Sequence, residues 1–485
     1  MEPAESEEPA MDATMTMPRS RSAEGEGRAA CRWELPEQAG ALRDPTPAEL
    51  SHIPGRRGLP YFGVMPEVVL DPMRFASGMV AKHGPVYRFF ALGRWHVHLT
   101  GAEANEMLLF DERGIFSAEG GWAPLIGALF PGALLIKDGA EHRASRRLLG
   151  EAFRQAQLSG YQRIFAEDIE QTIGTWMGRE IDSYREVKRL TFRISASTFL
   201  GLPLDELATT AIQSFAQMMG ALLTVVKNPR LSWVMRRGLS GKARLEAILA
   251  DLIVAKRAEP GEDFLSRIAL LRDDDGKQLS IQEITDSFIF LLTASHDTLA
   301  SALTSTVYYL AAHPEWAKRL RDELEQAGIE KSVEAGNAKL PLMDMFFKEV
   351  LRLNGPAPVL WRRAMRPFTV LGTHVPAGTM VGCNLMMTHR MPDVWEAPSR
   401  FDPYRFTPEK EAQRSRHAYV PFSGGVHKCL GLHFSNQQAR IFMAELLGRA
   451  DVSLASDKPV SWYHWPNCRP RRKLAVRVSP RYPGT

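Results

Sequence analysis

At 485 residues, 45% hydrophobic and 24% charged, the chain can bury a large core and has the composition of an ordinary globular protein. Its net charge of +4 is spread without a long Lys/Arg block. That argues against nucleic-acid binding and leaves room for a basic patch that docks an acidic partner. Cys31, Cys383, Cys429 and Cys468 stand far apart with no paired spacing, so no disulfide framework is expected and a reducing, cytoplasmic setting is the default.

Residues 1–50 open with "MEPAESEEPAMDATMTMPRSRSAEGEGRAA", which has no apolar run. They read as a disordered tail, neither signal peptide nor anchor. Residues 51–485 read as one domain, since no linker or repeat divides them. "YRFFALGRWHVHLTG" (87–101) has the pattern of a strand pair. Apolar spacing at i, i+3, i+4 predicts helices over 148–177, 187–200 and 212–226. Ile281–Ala312 would make one helix about 48 Å long, apolar enough to cross a core. His296 and Asp297 near its middle speak against a bilayer span. His313-Pro314 ends it, and "EWAKRLRDELEQAG" gives an amphipathic helix stopped by Gly328. Phe368–Gly382 alternates and turns at Gly372 and Pro376-Ala377-Gly378, which reads as a hairpin. Leu430-Gly431 opens a last helix to about Arg449. The expected class is mainly α with small β-sheets.

Cys429 lies in "FSGGVHKCLGLHFSNQQAR" (422–440). Ser423-Gly424-Gly425 can turn tightly and present N–H groups, and the start of a helix beyond Cys429 favours a thiolate. Three readings stand: a buried structural thiol, an incomplete zinc set with His427 and His433, and the thiolate ligand of haem iron, with Phe422 shielding the sulfur. Elsewhere, Glu349 and Arg352 in "FKEVLRL" stand at i, i+3 as an ion pair. Asp297-Thr298 in "TASHDTLAS" can be satisfied inside the helix, Thr298 bonding back to the Ala294 carbonyl. His142 and Arg146 share one face of a basic helix.

The order Phe422-x-x-Gly425-x-x-x-Cys429-x-Gly431 resembles the haem-binding loop of the cytochromes P450. The other stretches fall where that family has them, so the resemblance runs from about Pro54 to the C-terminus. It implies the cytochrome P450 fold, with a long central helix over heme b and the cysteine-ligand loop beneath it. By that match Cys429 binds the iron, in a loop marked by Phe422, Gly425, His427 and Gly431, and Ala294 lies against the haem. His142, Arg146 and Arg362 pair with the haem propionates, Arg363 being the less suited neighbour. Glu349, Arg352 and Arg405 of "PYRF" form a structural network. Asp297 and Thr298 bracket a widened helical turn, orient water and deliver protons to dioxygen.

Two positions depart from the family's pattern. Ser295 replaces a usual glycine and could narrow the space above the iron. His427 replaces a frequent arginine and would make propionate pairing sensitive to pH.

The implied activity is that of a haem-thiolate monooxygenase using O2 and electrons from a separate ferredoxin and reductase, docking near Arg143, Arg147, His427 and Lys428. Substrate contacts are expected from 120–135, 215–226, 356–361 and 462–467, which suggests a lipophilic substrate. "HDTLASALTS", "EHRASRRLL" and "CRPRRKLAVRV" look most like the branch that includes retinoic-acid hydroxylases and soluble bacterial relatives, which implies a retinoid, terpenoid or sterol. The alternatives are a peroxide-driven peroxygenase or isomerase, which needs no electron donor, and a non-catalytic haem-binding carrier or sensor.

Overall fold

The computed structural model describes residues 42–481 except 154, 201–205, 223, 225–227, 262, 274 and 275. Contacts divide the chain into Met1–Glu34 and Leu35–Thr485. The first unit, and residues 1–41 of the expected tail, lie outside the described residues. Residues 42–50 are packed: Leu50 is fully buried and the Leu42 carbonyl accepts from Arg363.

The strands of the largest sheet and of the hairpin beside it are Gly55–Arg56 (β1), Val86–Ala91 (β2), Arg94–Leu99 (β3), Phe116–Ser117 (β4), Val359–Ala364 (β5), Phe368–Val370 (β6), Thr373–Val375 (β7) and Met380–Asn384 (β8). Six of them form a sheet in the order β1-β2-β3-β8-β5-β4. The predicted strand pair is β2–β3, antiparallel from Val86↔Leu99 to Ala91↔Arg94. Its two-residue tip, Leu92-Gly93, has positive φ at both positions (49° and 83°), the geometry that matches strand twist. The expected hairpin over 368–382 is shorter than predicted. β6 and β7 pair around Leu371-Gly372, but β8 leaves them and inserts between β3 and β5. Gly378, whose N–H reaches the Ala364 carbonyl, turns the chain back toward the larger sheet.

The helices that bear on the site are Ala118–Ile126 (α1), Gly139–Ala152 (α2), Gln155–Trp176 (α3), Ser183–Ser195 (α4), Glu206–Leu222 (α5), Trp233–Ala258 (α6), Ile281–Ala312 (α7), Pro314–Gln326 (α8), Pro341–Asn354 (α9) and Leu432–Arg449 (α10). α7 has the predicted bounds because both ends are marked chemically. Ser280 and Glu283 form a capping box at its start, and His313-Pro314 closes it. The helix predicted over 148–177 is instead the end of α2 and all of α3, with a turn at Phe153. The one predicted over 187–200 begins earlier, at Ser183, and ends in a π-helical turn over Ala196–Leu200. α7 sends Phe288, Leu292, Leu299, Leu303 and Val307 into the main core.

Candidate functional site

The loop before α10 is built from two tight turns. Ser423 and Gly425 have positive φ (62° and 58°), and the Cys429 N–H closes the loop on the Phe422 carbonyl at 2.8 Å. A Cβ at Gly425 would come within 2.5 Å of the Leu109 carbonyl oxygen, and one at Gly424 within 2.5 Å of the Phe110 ring. Both glycines are therefore required by close approach. At Gly431 the nearest atom to an added Cβ is the Cys429 sulfur, 4.0 Å away, so the glycine leaves the flank of the sulfur clear. Burial pushes the Cys429 thiol up, against the Gly431 backbone N–H and the Arg146 charge, which favour thiolate. A cation bound to the sulfur inverts that balance. The residue nonetheless keeps exposed surface, as does Ala294 in the otherwise core-packed middle of α7.

Four nitrogen-bearing side chains gather around the sulfur's neighbourhood. The His142 ring lies on His427 with centroids 4.0 Å apart, and His427 Nε2 is 3.7 Å from Asp138 Oδ1. Arg362 comes from β5, is 3% exposed, and donates to the Trp361 carbonyl at 2.8 Å. Arg146 is close enough to act electrostatically on His142, His427 and Cys429. Burial, with the nearby His427 and Arg146 charges, depresses His142 to about 4. Burial also lowers His427, against its bond to Asp138. His142 Nε2 is buried without a partner among the described residues. A cluster this rich in donors, with an orphaned ring nitrogen, fits an incoming group that bears carboxylates. Arg363 faces the other way, donating to the Leu42 carbonyl and to Asp44 at 3.0 Å.

Asp138, which sequence reasoning did not single out, ties this cluster to α1. Its carboxylate accepts from Ser117 Oγ (2.5 Å), Ala118 N (2.9 Å) and Glu119 N (3.2 Å), capping the helix. Asp directly before Gly139 is a capping signal in sequence, but it suggests the helix that follows rather than one about 20 residues earlier.

On α7, Thr298 Oγ1 donates to the Ala294 carbonyl at 2.6 Å and Ser295 Oγ to Leu292 O at 3.2 Å. The helix stays regular through this stretch, so the expected widened turn is not present. Asp297 points toward α4, where Lys188 Nζ lies 3.1 Å from Oδ1. His296 Nε2 is 3.7 Å from the same oxygen, and its Nδ1 meets Thr191 Oγ1 at 3.1 Å. Lys188 was missed, because nothing local in the sequence links α4 to Asp297.

Glu349 and Arg352 are fully buried and joined by two bonds of 2.6 and 2.8 Å. Arg405 Nε stands 3.5 Å from Glu349, and the Asp402 N–H donates to the same carboxylate at 2.8 Å. Arg352 also donates to the carbonyls of His389, Pro398 and Arg400. Among the described residues no three His, Cys, Asp or Glu side chains converge on a metal position, and His433 is exposed, so the zinc grouping does not form. Arg143, Arg147 and Lys428 are exposed. Of the proposed substrate segments, Phe215, Met218 and Ala221 belong to the main core, while Trp122, Leu360 and Trp462 are only partly buried.

The family model for cytochrome P450 matches residues 53–472. The chain is 32% identical over 424 residues to the putative cytochrome P450 136 of Mycobacterium tuberculosis, covering 85% of this chain and 86% of that protein. It is 28% identical to cytochrome P450 26A1 of Gallus gallus, covering 88% and 89%. The solved structure of a retinoic acid-bound cyanobacterial CYP120A1 superposes with a TM-score of 0.80 at 29% identity, covering 88% of this chain and 99% of that one. With its mainly helical fold and the thiol loop before α10, the chain belongs to the cytochrome P450 family of haem-containing monooxygenases.

Proposed function

We propose that this monooxygenase hydroxylates a lipophilic, isoprenoid-like substrate of the retinoid, terpenoid or sterol class, with electrons from a separate ferredoxin and reductase. The observation that carries the substrate class is the likeness, over nearly the whole of both chains, to a structure with retinoic acid bound. When bound, haem supplies the activation of dioxygen that places one oxygen atom in a C–H bond.

The chain's own part follows from its side chains. Cys429 Sγ is the iron's protein ligand, and the Gly431 N–H and Arg146 charge favour its thiolate. His142, Arg146, Arg362 and His427 hold the two propionates, the unpartnered His142 Nε2 being free to donate. Phe422, Gly425 and Gly431 shape the loop, and Ala294 offers a small side chain on the haem side of α7. Thr298 Oγ1, now bonded to Ala294 O, orients water. The Asp297 carboxylate moves protons inward from the Lys188 side. Exposed Arg143 and Lys428 with Arg147 give an acidic ferredoxin a basic face to meet.

Spectral titration of the haem-loaded enzyme tests the substrate class. Retinoids, terpenoids or sterols should shift the Soret band from low to high spin. A shift with fatty acids or small aromatics alone would refute it.

A further inference from the structure

At the end of α9 the chain encloses a cavity of about 10 Å³, room for one particle about the size of a water molecule. Three segments line it: Arg352 and Leu353 of α9, Met386, His389 and Arg390 after β8, and His464 from the strand Trp462–His464. That strand pairs antiparallel with Cys468–Pro470, His464 standing opposite Cys468.

Positive charge exceeds negative around this cavity. Arg390 gives two of its N–H groups to the carbonyls of Met386 (3.1 Å) and Leu353, and it forms no ion pair among the described residues. The carboxylate of Glu349 is already engaged by Arg352, Arg405 and the Asp402 N–H. Burial, with the charges of Arg390, Arg352 and Arg414, holds His389 at about 3, and burial with those of Arg390 and Arg471 does the same to His464. A guanidinium left without a counter-charge in so poorly solvated a place is costly.

Donors are in excess as well. His464 is 6% exposed, and both its ring nitrogens are without partners among the described residues. His389 Nε2 accepts from the Val420 N–H at 3.3 Å, which leaves Nδ1 to carry that ring's proton. The lining carbonyls already accept a bond each: Leu353 and Met386 from Arg390, His389 from Arg352, and Pro358 from the Met386 N–H. A water molecule needs acceptors as well as donors, whereas a monatomic anion needs donors and positive charge alone. We propose that this cavity is a halide site that takes chloride, held by the Arg390 guanidinium and a ring N–H of His464. Neutral His464 supplies that N–H, so binding takes up no proton, and sulfate or phosphate is too large to enter. The anion ties the strand pair 462–470 to the end of α9. Nothing in this depends on the substrate or the electron donors assigned above.

Two measurements on the full-length haem-loaded enzyme test it. Crystals grown with sodium bromide should give an anomalous peak between Arg390 and His464; density there without anomalous signal would identify a water and overturn the proposal. Denaturant melts at about pH 8, above the ordinary imidazole range, should show stability rising as chloride or bromide replaces gluconate at fixed ionic strength. Above the dissociation constant, the unfolding equilibrium constant should fall about tenfold for each tenfold rise in halide. His464→Leu, which offers no donor, and Arg390→Gln, which removes the charge, should each abolish that dependence, while general salt effects stay in both. Equal stability of the parent in gluconate and halide, or a halide dependence kept by either variant, would overturn the proposal. A bromide peak with no halide dependence of stability would mark an adventitious ion only and would overturn it too.

Discussion

Asp297 is held 3.1 Å from Lys188 and faces α4, while Thr298, the next residue, bonds within α7. A carboxylate so placed can exchange protons on the outer side of the helix, and proton transfer by a positioned acid is worth about 10²-fold or more in rate. Asp297→Asn should therefore slow turnover by about 10²-fold and raise the solvent deuterium isotope effect. Substrate-induced spectral shifts should stay as they were, and an unchanged rate would remove Asp297 from proton delivery. Glu349 makes a different case, because it answers to stability. Glu349→Gln would leave the fully buried Arg352 without its counter-charge, a loss of about 3–5 kcal/mol. The expected results are poor haem retention and a lower denaturant midpoint. At this scale the sequence was legible where partners are local: Glu349 with Arg352, and Cys429 in its glycine-bounded loop. It was silent on Asp138 with His427 and on Lys188 with Asp297, since each pair is joined only by tertiary packing.

The same division holds for elements. α7 could be read to its ends because a capping box and a His-Pro pair mark them, whereas the break between α2 and α3 at Phe153 is preceded only by Gly150, which lies inside α2 and reads as an ordinary helical position. β8 looked like part of a local hairpin because alternation reports that a segment is extended, without saying which strand it will join. The least legible link is that between α1 and the His142/His427 cluster, which passes through one carboxylate. Asp138 caps α1 with three bonds and faces His427 with the same group. Asp138→Ala should cost about 1–2 kcal/mol at the α1 cap. Faster amide exchange in Ala118–Ile126, with the rest of the fold still protected, would show it, and uniform protection would disprove the tether.

For the whole molecule, acid is the condition to which the fold is most exposed. Burial holds His96 and His296 at about 4, and His98, His389 and His464 at about 3, all well below the ordinary imidazole value of 6.5. The unfolded chain therefore binds these protons at a pH where the native protein does not. Stability is complete above about pH 6.5 and falls as pH drops toward 4, by about 1.4 kcal/mol per histidine per pH unit. All five act in the same direction, so acid destabilises the fold as the pH falls below the ordinary imidazole value. His464 allows the clearest separation, because among the described residues both its ring nitrogens lack partners, and it lines a cavity of about 10 Å³. His464→Leu removes no hydrogen bond to a described residue, while it takes a proton site from the unfolded chain. Denaturant melts of parent and variant should thus diverge as pH falls from 7 to 5, the variant gaining about 1.4 kcal/mol per unit below 6.5. A constant offset at every pH would mean that His464 titrates alike in both states and that its burial does not set the acid limit.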